Sequence, residues 1–173
     1  HSVAGLLNDT RSFICERPFR SPHHTSSPAS IIGGGTHPRP GEATLAHRGV
    51  LFLDELPEFD RRVIESLRQP LEDHTITITR ASGSQLFPAQ FILLAALNPC
   101  PCGHYGSSRN NCTCSPQQIA RYTKKISGPI LDRIDIHITV PAVEYDALHA
   151  ASGESSAETQ QRVAAARTRQ TKR

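Results

Sequence analysis

Residues 49–55 read Gly49-Val50-Leu51-Phe52-Leu53-Asp54-Glu55, and this stretch decides the fold class. Four consecutive apolar residues, opened by glycine and ended by two acids, suit a short strand covered on both faces, as in a parallel sheet. A second run of this kind, Phe91 to Leu97, ends in Asn98-Pro99. Buried strands separated by a helical pattern predict an α/β domain with a parallel sheet. Both strands deliver polar residues at their carboxyl ends, and in an open α/β sheet that edge is where ligands bind.

Between the two runs, Asp60 is placed to cap a helix whose Val63, Ile64, Leu67 and Leu71 share one side, with Pro70 ending or kinking it. Thr75-Ile76-Thr77-Ile78-Thr79 alternates at period two, Ala81-Ser82-Gly83-Ser84 is turn-like, and Gln85-Leu86-Phe87 can return, so 75–89 predicts a hairpin. Upstream, the Val3, Leu6 and Leu7 pattern suggests the end of a helix in residues 1–16. Residues 17–48 are rich in Pro, Gly and His, and read as loops with a short helix near Ala29 to Ile32. Gly33-Gly34-Gly35 reads there as flexible loop. Downstream, Ser115-Pro116 opens a helix with Ile119, Tyr122 and Ile126 on one face. Ile134 to Val140 alternates like a strand and stops at Pro141. Composition then shifts to Ala, Glu, Ser and Arg, with an exposed helix expected over 158–169. The predicted organisation is therefore one domain over 1–141, followed by a linker and the start of a second domain over 142–173.

The 173 residues carry a formal charge of +3, which permits nucleic-acid contact without arguing for it. No apolar stretch approaches the ~20 residues of a membrane span, and the first residues lack a secretory pattern, so a cytoplasmic protein is expected. The absence of Met and the start at His1 predict a segment excised from a longer chain.

Four of the five cysteines, Cys100, Cys102, Cys112 and Cys114, fall within fifteen positions as two Cys-x-Cys pairs. Such pairs can supply four thiolates to a tetrahedral zinc ion. Free thiols in a reducing compartment, or disulfides in an oxidising one, remain the alternatives. His23, His24, His37 and His47 are spaced too widely to suggest a metal cluster and read as loop residues.

An acidic pair at a strand end has a mechanistic use: Asp54 can hold hydrated Mg²⁺ on nucleotide phosphates, and Glu55 can orient the attacking water. Asn98 could hydrogen-bond that water or the terminal phosphate. The plainer alternative makes all three ordinary strand exits and turn residues. The phosphate-cradling Gly-Lys-Ser/Thr string is missing, since the three lysines, Lys124, Lys125 and Lys172, none of them follows glycine.

Several strings in order carry a resemblance. They are Pro18-Phe19-Arg20 with Pro22-His23-His24, Pro38-Arg39-Pro40-Gly41-Glu42, Leu45-Ala46-His47, and Gly49 to Phe59. Further along stand Leu67-Arg68-Gln69-Pro70-Leu71-Glu72, Asn98-Pro99-Cys100-Pro101-Cys102-Gly103, and Ser127 to Asp135. Over about residues 1–141 the chain resembles the magnesium-chelatase-like AAA+ ATPases, on the ComM/YifB branch. The resemblance implies a truncated P-loop core using ATP and Mg²⁺, with Asp54-Glu55 as the Walker B pair and Asn98 as sensor 1. It implies that Arg133 is an arginine finger acting in trans within a homo-hexameric ring; its local alternative is a surface ion pair with Asp132 or Asp135. It places the Walker A loop just before His1 and sensor 2 after the end. The 75–89 hairpin resembles the pre-sensor-1 insertion, which makes Arg80 a candidate DNA-backbone contact, against an inert hairpin. The implied activity is ATP-driven translocation on DNA or its remodelling, as in ComM-like branch migration, or a chelatase-type motor. A different class, a non-catalytic zinc-binding nucleic-acid module, is the rival.

Overall fold

The computed structural model describes residues 16–35, 38–80, 83–107, 109–141 and 153–172. Three short strands form a parallel sheet: β1 (Phe19–Arg20), β4 (Val50–Leu53) and β7 (Ile92–Ala95), with β4 in the middle. Val50 to Leu53 pairs residue for residue with Ile92 to Ala95, and Phe19 lies opposite Val50. The period-two rule then sorts the side chains by face. Leu51 and Leu53 are fully buried, each burial worth roughly 1.5–3 kcal/mol against exposure, and Leu93 and Ala95 pack on the same side.

The opposite face departs from the expected double cover. Phe19, Ile92 and Leu94 are more than half exposed, with the Phe19 and Phe52 rings 6.0 Å apart among them. Among the described residues, helices pack against one face of this sheet only.

That covered face meets α1 (Pro28–Ile32), α2 (Glu42–Leu45), α3 (Arg61–Ser66) and α4 (Arg68–Asp73) through Ile31, Ala43, Ala46, Val63, Ile64 and Leu67. Asp60 caps α3 by accepting from the Arg62 amide at 2.8 Å. The kink expected at Pro70 lies instead at Leu67, where α3 ends and α4 begins. Proline has no N–H for the carbonyl four residues back and its ring presses on that carbonyl. The disruption from Pro70 therefore falls one turn upstream, at Ser66, and Pro70 sits buried in α4.

Strands β5 (Thr75–Arg80) and β6 (Gly83–Pro88) form the expected antiparallel hairpin, burying Ile76, Ile78 and Phe87. The glycine triplet is no flexible loop. Gly33–Gly34 is a strand, β2, paired antiparallel with β3 (Arg39–Pro40). At Gly33, φ is +107° and a methyl would stand 2.8 Å from Ile78 Cδ1 and 2.4 Å from the Arg39 carbonyl. Only glycine lets the hairpin approach that backbone.

Downstream lie α5 (Pro116–Thr123) and α6 (Gly128–Leu131). The Ser115–Gln118 capping box opens α5, and Tyr122 and Ile126 turn inward as expected. Residues 134–140 correct another expectation: they form no strand, and Ile136, Ile138 and Val140 are 74–81% exposed. Alternation makes a strand only beside an edge that accepts its hydrogen bonds, and among the described residues none pairs with this segment. Residues 1–15, with Cys15 and the expected helix, lie outside the described residues.

The chain divides into two compact units, 1–137 and 138–173. In the second, α7 (Ser156–Thr171) is exposed throughout, with a Ser155–Glu158 capping box and an Arg162–Glu154 ion pair. No helix among the described residues is long and apolar enough to cross a membrane.

Candidate functional site

The parallel register of β4 and β7 brings two polar tips to one edge. Asp54 and Glu55 follow Leu53 directly; Asn98 follows Ala95 by three residues. Beyond the sheet the pairing continues for one more step. The Ala96 N–H donates to the Leu53 carbonyl at 3.0 Å, and the Leu56 N–H donates to the Ala96 carbonyl at 2.9 Å.

Glu55 has φ +52° and ψ +47°, a left-handed conformation uncommon for a residue with a side chain. The Asp54 carboxylate steadies it, accepting the Glu55 N–H at 2.9 Å. This turn exposes both carboxylates, Glu55 at 51%. A 3₁₀ turn, Leu56–Glu58, follows, and Glu58 holds Lys125 through both carboxylate oxygens at 3.2 Å. Lys125 also lies 5.5 Å above the Tyr122 ring. Burial holds the Tyr122 phenol above its usual range, with Glu58 and Glu55 adding to it. The chain just past α5 is thereby fastened to the 3₁₀ turn that follows Glu55.

Sequence reasoning left His24 without a task. Its Nδ1 lies 3.4 Å from Glu55 Oε2, within ion-pair reach. The ring is braced by His23 at 4.1 Å and by the edge of Phe59 at 6.4 Å, while His23 Nδ1 is 2.9 Å from Thr25 Oγ1. Thirty-one positions separate His24 from Glu55, so nothing in local patterning announces the contact. His47 has a different role: its Nδ1 accepts the Gln90 N–H at 3.1 Å, and desolvation, helped by Arg48, pushes its pKa down. His37 lies outside the described residues.

Arg133 does not pair with Asp132 or Asp135. Its guanidinium reaches Glu72 Oε2 at 2.5 Å and the Pro129 carbonyl at 2.6 Å, while its buried Nε has no partner among the described residues. That contact holds the Glu72 carboxyl below the usual glutamate range. Arg80, exposed at the hairpin end, donates to the Thr79 carbonyl at 2.9 Å and the Gly35 carbonyl at 3.3 Å. A shallow cleft of about 370 Å³ lies beside the 3₁₀ turn, lined by Arg61, Arg121, Lys124 and Lys125 together with the Glu58 carboxylate that holds Lys125. The i, i+3, i+4 spacing of Arg121, Lys124 and Lys125 across the end of α5 was the available signal for it.

The four cysteines gather at the end of the Asn98 loop. All four sulfurs lie within 4.8 Å of one another, with Cys100 fully buried and the others half-buried. The backbone amides of His104 and Thr113 push the Cys102 thiol down to about 5. The cluster is a donor set that could hold a metal ion.

For Mg²⁺ and ATP, the fit is to one side of a site. Asp54 supplies a hard oxygen donor and Glu55 and Asn98 supply polar tips on the same edge. A phosphate-cradling glycine-lysine loop is absent from the sequence.

The chain is similar to several known proteins. The family model described as magnesium chelatase, subunit ChlI, matches residues 1–148. The competence protein ComM of Haemophilus influenzae is 51% identical over 166 residues, covering 94% of this chain and 32% of that protein. The YifB protein of Escherichia coli is 51% identical over 160 residues, covering 91% and 31%. A DNA replication licensing factor, mcm-6 of Caenorhabditis briggsae, is 31% identical over 96 residues, covering 56% and 11%. The chain thus spans about a third of the length of ComM and YifB.

Proposed function

The chain belongs to the magnesium chelatase family as a ComM/YifB-like member, an AAA+ ATPase family, and on that premise we propose that it carries the Walker B and sensor half of an ATP-hydrolysing site in a ring-forming motor that translocates on or remodels DNA. The observation that supports this reading best is the shared edge, where in-register strands present Asp54-Glu55 and Asn98 together.

On this reading, Asp54 holds Mg²⁺, which when bound offsets the charge of the nucleotide phosphates. Glu55 accepts a hydrogen bond from the attacking water and turns its oxygen toward the terminal phosphate. Asn98 donates its side-chain amide to the same water or phosphate. His24 is a positioning residue that limits where the Glu55 carboxylate can swing. Arg133 reaches a neighbouring subunit's nucleotide after leaving Glu72; its unpartnered Nε supports a second binding state for that side chain. The partners on this reading are further copies of the chain in a homo-hexamer, and DNA. Arg80 at the hairpin tip and the basic cleft beside α5 supply phosphate contacts. Residues 1–141 form the core after the Walker A loop, and 142–173 begin the helical lid.

The test is Glu55→Gln in the full-length protein. Hydrolysis falls by roughly 100-fold or more while ATP still binds. Arg133→Ala abolishes hydrolysis only in the assembled state, and Glu55→Gln subunits, which keep Arg133, restore turnover when mixed with it. Wild-type hydrolysis by the Glu55→Gln protein would refute the assignment. DNA binding without ATPase, abolished by a chelator, would favour the rival zinc module.

A further inference from the structure

We propose that Cys100, Cys102, Cys112 and Cys114 bind one structural Zn²⁺, and that this ion fixes Asn98 against helix α5 by closing the loop between them.

The first support is spacing. Zn–S bonds of about 2.3 Å set the sulfurs of a tetrahedron about 3.8 Å apart. Here Cys100 lies 3.4 Å from Cys102 and 3.7 Å from Cys112, and Cys102 lies 3.6 Å from Cys112. These near-equal contacts single out no pair, whereas a disulfide joins two sulfurs at about 2.05 Å and excludes the others. Four sulfurs about one centre suit a closed site, with every position taken by protein and none open to substrate.

Backbone support is the second observation. The Tyr105 N–H points at Cys100 Sγ at 3.3 Å. Amides aimed at sulfur steady thiolates that would otherwise repel one another in a buried cluster. Gly103 and Gly106, at φ +78° and +79°, allow the turns that bring that amide round. Free thiols have no need of this arrangement.

Position supplies the rest. Asn98 precedes Cys100 by two residues, and Cys114 is followed directly by Ser115, the N-cap of α5. The loop 100–114 contains no helix or strand among its described residues. Its two ends nonetheless meet, because the sulfurs of Cys100 and Cys102 at one end lie 3.7 and 3.6 Å from that of Cys112 near the other. Four thiolates around one cation join those two ends. The Asn98 tip therefore gets its rigidity from the metal side of the loop, as the Glu55 tip gets it from the sheet. The link to hydrolysis rests on the functional reading above; the ion itself does not.

The experiment is metal analysis of the full-length protein purified without chelator, then hydrogen exchange before and after zinc removal. The expected results are about one zinc per chain, a thiolate-type tetrahedral spectrum on Co²⁺ exchange, and its loss in the Cys102→Ser/Cys112→Ser variant. On removal, amides of 98–107 and 109–118 exchange at least about tenfold faster, while those of β4 and β7 keep their rates. Glu55→Gln keeps its zinc, which separates this outcome from that of the motor reading. Absence of stoichiometric metal in the unaltered protein, iron in place of zinc, or loop exchange unmoved by zinc removal would overturn the proposal.

Discussion

Gly49 precedes the central strand, and a single added methyl there tests the whole parallel arrangement. A Cβ at this position would stand 1.9 Å from the Pro18 carbonyl oxygen and 2.8 Å from its carbon. Ordinary contact needs more than 3 Å, so the main chain before β1 must retreat by about 1 Å or more. Two costs follow. Overpacking against backbone rather than a pliable side chain costs about 1–3 kcal/mol. The Val50 N–H, now bonded to that same carbonyl at 2.9 Å, loses its partner at a cost of about 1–3 kcal/mol. Gly49→Ala should therefore destabilise by about 4 kcal/mol, lowering Tm by roughly 8–16 °C in a domain of this size. The assay is thermal unfolding by circular dichroism, with Gly128→Ala as the paired control. Gly128 opens α6 with nothing within 4 Å of the added methyl, so the same change should be neutral or stabilise by about 0.4–1 kcal/mol. A Tm within about 2 °C of the original for Gly49→Ala would refute the close parallel approach of β1 to β4.

Two further outcomes are expected. His24→Ala should lower kcat for ATP hydrolysis in the full-length protein roughly tenfold with little change in KM, because the Glu55 carboxylate loses its brace while the nucleotide contacts stay; His24→Gln should recover part of the rate, and an unchanged kcat would remove His24 from the site. His47, held neutral by burial and by the Gln90 N–H it accepts, should titrate below the ordinary histidine range. Its folded pKa lies under its unfolded one, so its contribution to stability is present above the unfolded pKa and lost as pH falls through the folded one. Imidazole NMR titration checks the midpoint, and urea midpoints of wild type and His47→Gln across pH 5–8 should converge at the acid end.

Reading order along the chain captured what is local and missed what is not. Val50–Leu53 and Ile92–Ala95 announce themselves as unbroken apolar runs, although only one face is covered and Ile92 and Leu94 lie exposed, and the Thr/Ile alternation of 75–79 because a hairpin has two unlike faces. The edge site was legible for the same reason: its residues directly follow those runs. Pro70 was visible, but its effect appears at Leu67, because a proline disturbs the carbonyl four residues behind it. Gly33-Gly34-Gly35 looks like slack until Ile78 arrives over it from 45 positions away. The 134–140 alternation is a genuine period-two pattern, yet pairing depends on an edge that no pattern within the segment encodes. The bonds of His24 to Glu55 and of Arg133 to Glu72 span 31 and 61 positions, and only the folded backbone brings them together.

The lacing of Leu53, Ala96 and Leu56 beyond the sheet carries a mechanical corollary. With the crossing bonds intact, the backbones beneath the acidic and amide tips behave as one stiff plate, and relative drift between them is suppressed. What keeps its freedom is the Glu55 side chain, half in solvent and tethered at long range to an imidazole. On the proposed reading, a switch between idle and working states at this edge would take only a rotation of one carboxylate, with no rearrangement of the strands that bear it.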